Sequence, residues 1–332
     1  MFEGGNWDAG SLVATCLAPF TSPLSRTSFI VLLTGWLVGA LAYSFYEARG
    51  RRFSLAEYAR FSLPASIYRS RSFAVDVQLL FFNQLLAPAR WLVGALSVTV
   101  IAQLGATQLV TLFGERAGVE PGIFSTAALV VLMLLAYDFG TYLTHRLSHA
   151  VPFLWSFHRV HHSAETLNPL TLLRKHPVYD AFSVLIDCLA VAPLQALILY
   201  FWGGETSTSV LAYTNFAFGI FAYAASSLRH SHIWLSFGPL LNRIFVSPAL
   251  HQIHHSKAER HWDRNFGEVF AIWDWALGTL YLPKAQERLT FGLAGEDRQP
   301  HDNLAQALLE PFAFAWRTFR RDRPPVSGKV AQ

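Results

Sequence analysis

Three histidine motifs carry the chemistry of this chain. His145 and His149 form an HxxxH pair, while His158, His161 and His162, and later His251, His254 and His255, repeat an HxxHH pattern. On a helix, residues three and four apart share a face, so each motif aims its imidazoles one way. Neutral imidazole is a versatile ligand for transition metals. Any one such histidine is more often a core or surface residue, but three clustered motifs point to metal. A first-row ion takes about four to six donors, so this many nitrogens suits two ions better than one. Mononuclear zinc needs only three or four protein ligands and leaves histidines over. The Glu and Glu-x-x-His pattern of soluble di-iron bundles is not visible. Nitrogen-rich ligation without thiolate fits iron that must meet O2 with no sulfur to oxidise. The chain has two cysteines, Cys16 and Cys188, and no CxxC. That argues against a disulfide scaffold, a thiolate zinc site and a cysteine-bound iron–sulfur cluster.

The elements that position these motifs are apolar. Of 332 residues, 52% are hydrophobic and 14% charged, with a mean hydropathy of +0.30. Soluble domains carry about 25% charged residues, so much of this chain is expected in lipid. A net charge of +4 fits basic loops on one side of a membrane better than a nucleic-acid partner. The N-terminus lacks the basic region of a signal peptide, so the first apolar run is expected to persist. That run, Ser28 to Tyr46, is followed by Arg49, Arg51, Arg52, Arg60, Arg69 and Arg71, which marks residues 47–72 as cytoplasmic. Residues 1–25 read as a short mixed lead and 73–87 as an interfacial or partly buried helix. Further spans are expected over 91–113, 123–144, 178–202 and 210–228, giving about five in all. With that count, every histidine motif falls on the arginine-rich side, at or just beyond a span end. The expectation is an all-α integral membrane bundle with a cytosolic, histidine-rich metal-binding cap. It divides into an N-terminal transmembrane region (1–122), a catalytic domain (123–283) and a cytosolic C-terminal segment (284–332).

The order HxxxH, HxxHH, HxxHH closely resembles the fatty acid hydroxylase superfamily, which includes sterol desaturase-like proteins. Asn168-Pro169 leading to Arg174-Lys175-His176-Pro177 is similar to that family's Arg-x-His-Pro segment. Asn265-Phe266-Gly267, Trp273-Asp274 and Gly278-Thr279 resemble its C-terminal signature, with Leu277 where phenylalanine is usual. The resemblance covers roughly residues 123–283. It implies a non-haem di-iron site, two Fe ions held by histidines, that uses O2 to hydroxylate or desaturate a lipid C–H bond. Carried over by position, the ligands are His145, His149, His158, His161, His162, His251, His254 and His255. His230 stands where the family has a further histidine and is expected as a ninth. His232 could bind metal, bond to a ligand imidazole, or do neither, and His176 could lie near the site. His261 and His301 are assigned to the surface or to positions behind the ligands.

Asp138 lies seven residues before His145 in an apolar span, hence on the same face. An intramembrane carboxylate is a functional candidate, either orienting a ligand histidine or tying two helices together. Asp180 and Asp187 share the same spacing and could face one cavity. No dinucleotide fingerprint, ferredoxin-type cysteine set or haem-binding element is visible. Reductive O2 chemistry therefore implies an external electron donor, a ferredoxin or cytochrome b5-type protein with its reductase. Lipid and membrane complete the expected partners, with the metal site facing the cytoplasm of a bacterial inner membrane. A metal transporter or metal-binding protein could use the same cluster, but its ligands should sit near the bilayer midplane. A haem electron carrier would want isolated histidine pairs inside its spans.

Overall fold

A computed structural model describes residues 9–22, 25, 27–86, 98–119, 122–202, 228–295 and 300–320. Thirteen α-helices are described: α1 (Ala9–Thr21), α2 (Phe29–Tyr46), α3 (Leu55–Ser62), α4 (Ala65–Tyr68), α5 (Arg71–Leu85), α6 (Val98–Phe113), α7 (Ile123–Ala150), α8 (Pro152–His162), α9 (Pro177–Trp202), α10 (Gly238–Leu241), α11 (Pro248–His254), α12 (Ile272–Ala276) and α13 (Leu304–Phe319). Among the described residues there is no strand, only two isolated bridges, Phe245 with Phe270 and Ser256 with Phe291.

Three helices, α2, α7 and α9, are long and apolar enough to cross a membrane, and α6 is a shorter apolar helix. α2 shows why the pattern works. One stripe, including Leu33, Leu37, Leu41 and Phe45, is exposed, while Gly35, Gly39, Ala42 and Tyr43 are buried. In water that stripe would be costly; in hydrocarbon it is the natural outer surface. α7 and α9 run side by side, and Gly140 lets them touch: a Cβ there would lie 2.0 Å from Val191 Cγ2. α6 closes the same bundle through a core of Ala102, Leu129, Met133, Ala192 and Leu199.

α7 also carries chemistry. Its 28 residues make about 42 Å of helix, against about 30 Å of hydrocarbon. The surplus is about eight residues, enough to lift the stretch with His145, Arg146 and His149 out of the apolar layer. The chain then turns at Val151, and Pro152 opens α8 at the helix start, where its missing N–H costs nothing. Ser247 caps α11 by accepting from Leu250 N, with Pro248 in the same role.

α8 is locked from behind. Arg174, fully buried, donates to the Val160 carbonyl (2.9 Å), the Ser163 hydroxyl (2.8 Å), the Ser72 carbonyl (3.0 Å) and Asp76 on α5 (3.0 Å). Asp76 also accepts from Asn168 and Thr171. α13 packs on both α8 and α5, with Ala307 in one core with Val75, Leu79 and Val160.

The helices correct the sequence reading in places. The lead expected at 1–25 contains α1, helical despite Pro19. The third span runs on to Ala150 instead of stopping at 144. The segment 149–177, expected to be merely polar, contains α8, buried from Trp155 to His162. The helix expected at 73–87 is α5, with a buried face that includes Val75, Asp76 and Leu79. The second span is described only as the 16-residue α6, and the fifth, 210–228, lies outside the described residues except for Leu228.

Candidate metal centre

α7 places His145 and His149 one turn apart, α8 carries His158, His161 and His162, and α11 with its last cap residue carries His251, His254 and His255. The structure gathers these, with His230, into two groups: His145, His149, His158, His162 and His254 in one, and His161, His230, His251 and His255 in the other. Within each group the candidate ligand atoms lie within 4.8 Å of one another. Helix geometry decides the split. Residues i and i+4 nearly eclipse, at about 100° per residue, while the intervening one points elsewhere. On α8 the outer pair, His158 and His162, enters the first group and His161 the second. On α11 the outer pair, His251 and His255, enters the second and His254 the first. The two HxxHH motifs thus exchange one histidine each. His162 and His255 stack with ring centres 4.5 Å apart where the groups meet.

The contacts inside the groups are Nε2 to Nε2. His162 lies 3.1 Å from His149, 3.2 Å from His158 and 3.2 Å from His254. His230 lies 3.2 Å from His161 and 3.0 Å from His251, and His255 is 3.2 Å from His251. A neutral imidazole nitrogen carries one hydrogen or one lone pair, so these contacts cannot all be hydrogen bonds. Two rings have their tautomer fixed from outside. His145 Nδ1 donates to the Phe266 carbonyl and His254 Nδ1 to the Arg264 carbonyl, both at 2.8 Å. A carbonyl can only accept, so the Nε2 of each must present its lone pair inward. His145 Nε2 is buried with no hydrogen-bond partner in the protein. Burial, then the neighbouring imidazoles, hold His158, His161, His162, His251, His254 and His255 well below the ordinary histidine pKa. The rings are neutral near pH 7, as ligands must be. Buried, neutral imidazoles that converge Nε2 to Nε2 suit a pair of transition-metal ions.

The carbonyls that fix those tautomers are held in turn. Asp274 accepts from Phe266 N and Gly267 N, each at 2.8 Å, and from the Thr279 hydroxyl. Gly267 is required, because a Cβ there would sit 2.6 Å from the Phe270 carbonyl. Asp138, reaching from α7, accepts from Val269 N (2.8 Å), Phe270 N (3.1 Å) and Trp273 Nε1 (2.9 Å). It bonds the loop whose Phe266 carbonyl takes His145, and not His145 itself. The His230 stretch is fixed by Gln252, whose amide donates to the carbonyls of Leu228, Ser231 and Ile233.

Several expected residues lie elsewhere. His232 Nε2 donates to the Phe61 carbonyl (2.7 Å), and His176 Nε2 to the Leu308 carbonyl (3.1 Å); both stand outside the two groups. His261 and His301 are buried, not surface residues, beside Glu287 and Glu310. Asp187 accepts from Thr144 Oγ1 and ties α9 to α7. The roles of Asp274 and Gln252 were missed: Asp274 was visible only as part of the Trp273-Asp274 resemblance, and Gln252 only as a spacer.

Fold and site together define a helical membrane protein with a buried, histidine-built centre of metal-binding type. Residues 130–279 match the fatty acid hydroxylase family profile. Ornithine lipid hydroxylase OlsE of Rhizobium tropici is 32% identical over 210 residues, 63% of this chain and 56% of that protein. Alkylglycerol monooxygenase of Caenorhabditis elegans is 29% identical over 163 residues, 49% of this chain and 29% of that protein. Fatty acid hydroxylase vlmA of a Lecanicillium species is 30% identical over 161 residues, 46% of this chain and 42% of that protein. The chain thus spans about half or less of the length of these curated relatives. No solved structure matches.

Proposed function

We propose that the chain is a membrane-bound non-haem di-iron oxidoreductase that uses O2 to hydroxylate or desaturate a C–H bond of a lipid such as a sterol or fatty acid. The observation that carries this is the pair of adjoining groups, five and four buried imidazoles, inside a chain whose relatives bear the names of lipid hydroxylases and monooxygenases. His145, His149, His158, His162 and His254 would hold one iron, and His161, His230, His251 and His255 the other. Iron bound there supplies reductive activation of O2, and the two electrons come from an external ferredoxin or cytochrome b5-type donor with its reductase.

The chain's own residues do the rest. The Phe266 and Arg264 carbonyls keep Nδ1 of His145 and His254 protonated, so that Nε2 stays a donor of electrons, and the loop between Asp138 and Asp274 keeps those carbonyls in place. Burial keeps water from the centre and holds the imidazoles neutral. Positioning of the apolar substrate then selects the carbon that reacts. The cytoplasmic orientation is supported at the end of α2: Tyr46 bonds to the Ser236 carbonyl and Glu47 to Gln286, so the arginine cluster that follows α2 sits on the side of the histidine cap. On this reading the bacterial inner membrane is the host bilayer.

The test is reconstitution. Purified protein with lipid and NADPH alone should be silent, and addition of a ferredoxin and its reductase should start O2-dependent product formation. Metal flux across anaerobic vesicles, with no electron supply, would instead show a transporter.

A further inference from the structure

A cavity of about 330 Å3 lies beside the histidine cap, between the N-terminal helices and the stretch that carries His230. Phe20 of α1, Trp36 of α2 and Phe73 of α5 form one wall. Leu170, Leu228 and Ile233 line it as well. Its size falls in the range of small-molecule sites, about 300 to 1,000 Å3.

The polar side chains that line it, apart from Tyr68, are already engaged. Ser62 Oγ accepts from Trp36 Nε1 and donates to the Ala59 carbonyl. Ser231 Oγ donates to the Leu228 carbonyl and accepts from Ile233 N. Asn168 is bound to Asp76 and Thr171, and His232 to the Phe61 carbonyl. Tyr68 brings the other side-chain hydroxyl among the described residues. A charged or hydrogen-bonding headgroup would find few partners here, and a hydrocarbon chain would lose nothing by entering.

Its position relates it to the centre. Leu228 and Ser231 bracket His230, whose Nε2 lies 3.0 Å from His251 and 3.2 Å from His161. One short backbone stretch, pinned by Gln252, forms both the cavity wall and part of the second histidine group. The lipid-facing surface is one helix away: α2, which supplies Leu32, Gly35 and Trp36 to the cavity, turns Phe29, Leu33 and Leu37 outward to where lipid would lie. Phe20, Trp36 and Phe73 all fall before residue 130, where the family match begins.

From this we infer that the cavity is an aliphatic-chain site, which receives the hydrocarbon tail of the lipid substrate from the bilayer and sets the chain length accepted. The inference rests on the lipid-oxidation reading above, but its test does not require turnover.

The experiment uses the full chain in nanodiscs with a long-chain fatty acid carrying a mid-chain photoreactive diazirine. Irradiation should place label on peptides containing residues 32–36, 62–68 or 228–233. Gly35 is buried on the cavity wall, so Gly35→Leu should fill it. Labelling by the long probe should then fall about tenfold, the effect of a few displaced methylenes, while a short-chain probe and bound iron are retained. Ile233→Ala, which enlarges the cavity without new bulk, guards against a misfolded first variant and should raise labelling by a longer probe. Label elsewhere, or long-chain labelling unchanged in both variants, would overturn the site. Label in the cavity of a protein that never oxidises lipid under reconstitution would uphold the chain site and overturn the hydroxylase reading.

Discussion

Two buried polar regions lie on opposite sides of α8, and they are built on opposite principles. Behind the helix, Arg174 and Asp76 are both fully buried, and their charges are met within the protein. In front of it, the histidines are also buried but face one another Nε2 to Nε2, in contacts that cannot all be hydrogen bonds. The first network is complete and does mechanical work, fixing the Val160 carbonyl and Ser163 at the end of α8. On the di-iron reading, the second is completed by cations. Satisfaction of hydrogen bonds, more than burial or charge, separates a structural polar core from a ligand-binding one.

The largest effects should come from the incomplete side. His162→Ala removes the ring central to the first group, and His251→Ala removes a member of the second. Each should abolish lipid oxidation and lower iron from about two per chain, the number the two groups suggest. Full iron retention in both variants, measured by metal analysis on folded protein, would remove the centre from these residues.

The complete side should respond in stability. Asp76→Asn keeps the shape but leaves Arg174 as a buried, uncompensated cation. Loss of one partner of a buried pair costs about 3–5 kcal/mol. A clear drop in thermal midpoint is expected, with iron per folded chain little changed. Iron lost at an unchanged midpoint would erase the distinction between the two regions.

How much of this could be read in the sequence follows the same division. The histidine motifs were legible because residues that share a helix face recur at three and four, and that spacing shows in a linear chain. Long apolar runs announced α2, α7 and α9 for a similar reason. The exchange of His161 and His254 between groups was not legible, since it depends on how α8 and α11 meet face to face. Asp76, Gln252 and Asp274 were equally hidden in their roles, for a lone polar residue does not name a partner far along the chain. α1 was missed because Pro19 and a mixed composition weaken the helical pattern. Which of the two expectations for His261 and His301, surface or behind the ligands, applies was not legible, because their carboxylate partners, Glu287 and Glu310, are invisible as partners until the chain folds.

Between the extremes lie the groups that, on the di-iron reading, orient ligands without touching metal. Asp274→Asn would replace one acceptor oxygen with a donor facing Phe266 N or Gly267 N. The Phe266 carbonyl would then hold His145 less firmly. Outer contacts of this kind are worth about 10–100-fold in metal affinity or activity. Asp138→Asn acts on the same loop from α7 and should fall in the same range. If both variants keep full iron affinity and turnover, the loop only packs against α7 and does not orient His145.

The smallest effect is expected at His232, and it tests the comparison most finely. By sequence it sits two residues from His230, where it could have been a tenth ligand. In the structure its Nε2 donates to the Phe61 carbonyl (2.7 Å), and its ring packs on Phe61 at 5.0 Å, away from both groups. It belongs with the satisfied polar groups, like Arg174. His232→Gln retains a donor that can reach the same carbonyl, so iron content and its spectroscopic signature should be unchanged. Stability should fall by about 1 kcal/mol at most, the worth of one neutral hydrogen bond. His232→Leu removes the donor and leaves the Phe61 carbonyl unmet, which should cost about 1–3 kcal/mol and still spare the iron. A changed iron spectrum in the glutamine variant would move His232 across the line, from the region held together by hydrogen bonds to the one held together by metal.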